Sequence, residues 1–191
     1  MGYFTTAGLL IVDTLFYLLS FVFLLRVLLQ LVGANFYNPI CQFFFKATNP
    51  ILVPLRKLLP PIGRLDVSAV LILLLIQVLH VVVVAGLSGR GLHPLALPIL
   101  ALAGALNILL QVLFWSIIIR IIISFVAADS YHPVVPIMAQ ITEPVMAPFR
   151  RLLPATGGLD FSPLLATLAI MLARILLLAP LYDLAAWVSM G

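Results

Sequence analysis

Arg26 to Ile76 reads RVLLQLVGANFYNPICQFFFKATNPILVPLRKLLPPIGRLDVSAVLILLLI, and 94 residues later Arg120 to Ile170 reads RIIISFVAADSYHPVVPIMAQITEPVMAPFRRLLPATGGLDFSPLLATLAI. Without a gap the two stretches agree at 19 of 51 positions. The matches include Arg26/Arg120, Tyr37/Tyr131, Pro39/Pro133, Thr48/Thr142, Pro50/Pro144, Pro54/Pro148 and Arg56/Arg150. They continue through Leu58-Leu59-Pro60/Leu152-Leu153-Pro154, Gly63/Gly157, Leu65-Asp66/Leu159-Asp160 and Ser68/Ser162. Leu and Val coincide by chance in an apolar chain, but prolines, glycines and charges held in register do not, so the chain is an internal duplication. Each copy runs from an apolar stretch through a proline-rich, basic elbow into a second apolar stretch.

Outward from the duplicated segment the apolar stretches cover Leu9 to Gly33, Val67 to Leu87, Leu97 to Ala127 and Ser162 to Trp187. Each is near or above the roughly 20 residues that cross a bilayer as a helix. Of the 191 residues 64% are hydrophobic and 8% charged, and the mean hydropathy is +1.29. Soluble domains are about 45 to 50% apolar and about 25% charged, so water cannot be the solvent for this surface. Runs such as Val81 to Ala85 and Ile117 to Ile119 also leave no room for the polar stripe of a soluble bundle. The expected fold is an all-α membrane protein, a single domain spanning residues 1–191. Four transmembrane helices fall into two parallel two-helix repeats, approximately 7–87 and 97–187, each with short interfacial or re-entrant helices. The amino end lacks a basic n-region and its apolar stretch exceeds the roughly 7 to 15 residues of a signal-peptide core, so it is read as a retained span.

The elbows predict short helices over Pro39 to Ala47 and Pro50 to Leu59, and over Pro133 to Ile141 and Pro144 to Leu153. Asn49 before Pro50 has the form of an N-cap and first turn, while Ser68 and Ser162 are the expected caps of the second and fourth spans. Asp66 and Asp160 stand just before those starts, where a carboxylate favours exposed amides. Lys46, Arg56, Lys57, Arg150 and Arg151 can reach phosphate headgroups from an interfacial position. Because the elbows also carry most of the Lys and Arg, the positive-inside rule places both in the cytoplasm and the termini across an inner membrane, in the periplasm.

Charges within the spans need partners or a route to headgroups. Arg26 and Arg120 are expected to pair with Asp66 and Asp160, one pair per half, with lipid phosphates and an ion path as competing roles. Arg174 stands where the first half has His80, so it either joins a packed polar network or lines a permeation or binding site. His80 is expected to hydrogen-bond a neighbouring helix, and Asp13 and Asp183 to cap or pair locally.

Nothing in the pattern specifies catalysis: HExxH, P-loop, dinucleotide and nucleophile-elbow signatures are missing. His80, His93 and His132 lie in different segments, so no metal or other cofactor is expected. Cys41 is the sole cysteine, which excludes an intrachain disulfide. The formal net charge is +4, from ten Lys and Arg against six Asp and Glu, too sparse for a nucleic-acid surface. The expected partners are membrane lipids, and beyond them other membrane proteins or a second copy.

The twice-repeated Arg, Asn-Pro-like step, R-x-LLP and G-x-LD-x-S positions resemble those of the YggT/YlmG integral-membrane family over almost the whole chain. In the first half they are Arg26, Asn49-Pro50, Pro54, Arg56, Leu58-Leu59-Pro60, Gly63, Leu65-Asp66 and Ser68. In the second they are Arg120, Pro144, Pro148, Arg150, Leu152-Leu153-Pro154, Gly157, Leu159-Asp160 and Ser162, with Glu143 departing from Asn49. The resemblance implies roles in membrane-protein assembly, envelope or division-related organisation, or osmotic and ion homeostasis. A noncatalytic inner-membrane assembly or envelope-support protein is the first expectation, and an ion or small-osmolyte channel or transporter component the alternative.

Overall fold

The computed structural model describes residues 2–89, 91–126, 132–152 and 160–190. Arg90 of the turn between the halves, and Tyr131, Leu153, Pro154, Gly157 and Leu159 of the second elbow, lie outside them. Among the described residues the chain forms six helices: α1 Tyr3–Leu31, α2 Pro39–Arg56, α3 Val67–Ser88, α4 Ala96–Val126, α5 Val134–Leu152 and α6 Ser162–Met190. α1, α3, α4 and α6 are long and apolar enough to cross a membrane. The expected four spans are therefore present, and α1 begins two turns earlier than its apolar run, where Thr6 Oγ1 donates to the Gly2 carbonyl at 3.4 Å.

Within each half the two long helices form an antiparallel hairpin, α1 on α3 and α4 on α6, and the halves join where α3 packs on α4. The first hairpin contributes most of the core. Phe23, Leu24 and Leu29 of α1 meet Ala69, Leu73 and Ile76 of α3, with Ile108 of α4 and Ile137 and Ile141 of α5 closing the cluster. A smaller core in the second half unites Leu110, Ile117, Met146, Ala166 and Ile170.

α1 stops because Gly33 adopts φ +66°, a left-handed conformation that side chains resist. The Ala34 amide donates to the Leu29 carbonyl at 2.8 Å and the Gly33 amide to the Gln30 carbonyl at 3.1 Å, the pairing of a Schellman motif. The chain then turns through Asn35, whose Oδ1 accepts the Tyr37 amide at 2.9 Å. Asn38 Oδ1 accepts the Ile40 amide at 2.9 Å and Pro39 fills the first turn, so α2 starts here.

Four local expectations are corrected. Each elbow holds one helix in place of two, with Pro50 and Pro54 inside α2 and Pro144 and Pro148 inside α5. A proline in a helix interior costs about 3 kcal/mol, and continuous burial offsets it: Cys41, Thr48 and Leu52 share the inward face of α2. Asn49 consequently lies within α2, and Asn38 is the cap. Nor is Ser68 the cap of α3: Asp66 Oδ1 accepts the Ala69 amide at 3.3 Å, while Ser68 Oγ donates to the Leu59 carbonyl at 2.8 Å. At α6 the arrangement differs: Asp160 Oδ1 accepts the amide of Ser162, the first helical residue, at 2.9 Å, and the Ser162 hydroxyl is buried without a hydrogen-bond partner, so it caps nothing.

Asn38 Nδ2 also donates to the Pro133 carbonyl at 2.7 Å, joining the start of α2 to the residue before α5. Both elbows therefore lie at the same end of the molecule. Two hairpins that begin and turn at matching levels are parallel copies, as the duplication requires.

Candidate functional site

The elbow of the first half closes over a buried charge cluster. Arg26 of α1 is fully buried, its guanidinium 3.5 Å from the centroid of the Phe45 ring and Nη1 donating to Gln30 Oε1 at 2.8 Å. Its Nη2 stands 3.6 Å from Asp66 Oδ2, a long ion pair. Arg56, at the end of α2, makes the close contact with that same oxygen and reaches Gln30 Oε1 at 3.3 Å. Asp66 is itself fully buried. Two cations share one carboxylate here, and neither Arg26 Nε nor Nη2 has a hydrogen-bond partner.

The second half solves the same problem differently. Arg120 Nη1 donates to Thr142 Oγ1 at 2.7 Å and to Glu143 Oε2 at 3.2 Å. Arg150 pairs with Glu143 at 2.7 Å and with Asp160 at 3.5 Å. The expected direct Arg120–Asp160 pair is thus replaced, because Glu143 occupies the position of Asn49 and supplies a nearer carboxylate. Two arginines and two carboxylates balance. Ser162, whose amide donates to it, holds the Asp160 carboxyl below its ordinary value, with Arg150 and Arg120 nearby.

Farther from the elbows lies a second polar layer that the sequence pattern did not assemble. His80 of α3 meets Asp13 of α1, Nε2 to Oδ1, at 2.7 Å. At the equivalent place in the other half, Arg174 Nε donates to Asn107 Oδ1 at 3.1 Å. A signal was available: the 94-residue shift that carries His80 onto Arg174 also carries Asp13 onto Asn107. One turn nearer the elbows Gln77 Nε2 donates to Ser20 Oγ at 2.7 Å, and both side chains are buried. Gly104 of α4 makes space for this pair, since a Cβ there would stand 2.1 Å from Gln77 Oε1.

Asp13, Gln77, His80, Asn107 and Tyr182 line a cavity of about 480 Å³ among the long helices. A second cavity, of about 380 Å³, shares His80 and Tyr182 with it and extends toward Gly91 and Ser189 at the end away from the elbows. Toward the elbows the space is filled by Phe23, Leu24, Leu73 and Ile76. Arg174 instead lines an open groove with Asn107, Ile175 and Tyr182 between α4 and α6.

Lys46, Lys57 and Arg151 are exposed on the elbows and take no part in either cluster. Among the described residues no group of three or more His, Cys, Asp or Glu is arranged to hold a metal. Cys41 is buried, which raises its thiol pKa.

A family model described as CCB3/YggT matches the chain twice, over residues 5–87 and 99–181. An uncharacterized protein of Pseudomonas aeruginosa is 40% identical over 175 residues, covering 91% of this chain and 89% of that one. An uncharacterized protein of Vibrio alginolyticus is 38% identical over 170 residues, 87% of this chain and 91% of its own. The uncharacterized YggT of Escherichia coli K12 is 34% identical over 161 residues, with 83% and 82% covered. No solved structure matches.

Proposed function

The chain belongs to the CCB3/YggT family, and from that membership we propose that it is a noncatalytic inner-membrane protein that supports membrane-protein assembly or the envelope. The observation that carries this reading is where the repeated arginines point. Arg26 is packed against Phe45 and Gln30, and Arg120 is bound to Thr142 and Glu143. A conducting path needs charged or polar groups facing a continuous hydrated space. Between the cavity at His80 and the cluster at Asp66 stand Phe23, Leu24, Leu73 and Ile76. Such a molecule offers helix faces at lipid depth and basic elbows at the headgroups. The exposed Leu164, Leu168, Leu172 and Leu176 of α6 suit contact with lipid or with another helix.

The alternative, an ion or small-osmolyte channel component, is supported by the polar cavity between Asp13, His80 and Asn107. Flux measurement separates the two. Purified protein reconstituted into vesicles is expected to pass ions and small osmolytes no faster than protein-free vesicles across a salt series. A specific flux that disappears in Arg174→Ala, with insertion retained, would establish the channel reading instead.

A further inference from the structure

The duplication leaves the joint between its halves unmatched at the two ends of the molecule. In that joint α3 packs on α4, bringing Gln77, His80 and Val81 of α3 to a common cavity with Leu100, Gly104 and Asn107 of α4. Shifted by 94 residues, the α3 face becomes Met171, Arg174 and Ile175 of α6, and the α4 face becomes Thr6, Leu10 and Asp13 of α1. These two faces do not pack on each other within the chain, because the substantial contacts of α6 are with α4 and α5. They stay accessible: Leu10 is 68% exposed and Ile175 65%, and Asp13, which borders the cavity of its own chain and bonds His80, keeps its side chain 56% exposed.

The charges on the open faces are opposite. Arg174 lies twelve residues into α6, about 18 Å along its axis and so near the middle of a hydrocarbon core about 30 Å thick. Its neutral partner Asn107 is at the same level, and among the described residues no carboxylate stands within ion-pair reach. A guanidinium at that depth needs a counter-charge. Asp13 is the repeat equivalent of Asn107, so the duplication sets it at the matching depth, with one carboxylate oxygen on His80 and the other available.

We propose that a second copy of this chain docks its α1 on α6 of the first, repeating the α4-on-α3 joint, so that Asp13 of the second copy neutralises Arg174. The interface is head-to-tail, with each copy offering one face and receiving the other, and copies so joined form a ring or a row in the membrane plane. It holds whether the protein organises other membrane proteins or conducts a solute.

The test uses two differently tagged full-length chains, both Cys41→Ala, one carrying Leu10→Cys and the other Ile175→Cys. They are coexpressed and oxidised in native membranes with copper-phenanthroline. A mixed disulfide joining the two tags is expected, without same-site disulfides when either chain is expressed alone. It should be lost when Arg174→Ala is added to the Ile175→Cys chain. Since that variant can fail to fold, the charge-intact pair is decisive by itself, and single-molecule photobleaching of the native protein in bilayers provides an independent count. No mixed disulfide, a disulfide within one chain carrying both cysteines, or single-step bleaching would overturn the proposal.

Discussion

Asp66 and Asp160 share the G-x-LD-x-S pattern but differ in burial, and their replacement should separate them. Asp66 is fully buried between Arg26 and Arg56 and caps α3, so Asp66→Asn leaves two guanidinium groups uncompensated. Breaking a buried pair costs about 3 to 5 kcal/mol. Asp160 is 49% exposed, and solvent screening reduces the expected loss in Asp160→Asn to about 0 to 1 kcal/mol. Denaturant titration in micelles reads the contrast; equal losses would contradict the burial difference. pH adds a second check. A carboxyl whose folded pKa is depressed contributes stability above its unfolded value, near 3.9, and loses that contribution as pH falls through the folded value. The advantage of the native protein over Asp160→Asn, measured by thermal unfolding, should therefore be complete at neutral pH and shrink below about pH 4.

Among the elements, α4 lies tight at Gly104 against the Gln77–Ser20 link between α3 and α1. Gly104→Ala should push Gln77 from Ser20 and cost about 1 to 3 kcal/mol, the usual range for overpacking. Adding Gln77→Ala should recover part of that loss in a double-mutant cycle, since the two changes share one space. Simple additivity would show that the strain lies elsewhere. Long apolar runs gave the spans without ambiguity, because hydropathy alone decides which segments cross. The elbows were harder to read. Pro50 and Pro144 look like helix starts to a reading based on local propensity, and only the packing of Leu52 and Met146 against the long helices keeps each elbow whole. Likewise the hydroxyls of Ser68 and Ser162 match a cap pattern, yet Asp66 caps α3 and Asp160 takes the Ser162 amide instead. The Asp13–His80 and Asn107–Arg174 pairs join residues 67 apart on separate helices, a distance at which spacing rules along one helix say nothing.

For the whole molecule, the bond from Asn38 to Pro133 places both elbows at one end, and by the positive-inside rule the excess of Lys and Arg there predicts that this end faces the cytoplasm. Arg64→Cys and Arg151→Cys, each introduced with Cys41→Ala, should react with an impermeant maleimide in inverted membrane vesicles and stay protected in intact cells. Labelling from opposite sides would break the parallel arrangement of the halves. The same bond, with the α3–α4 joint, bears on whether the peptide link between the halves is needed at all. A chain severed in the short turn after Gly89 and produced as two separate polypeptides should still copurify as one particle, because the fragments clasp each other at the end opposite the cut. Covalent continuity across that turn would then serve to deliver the two pieces in equal number, while cohesion resides in the surfaces they share.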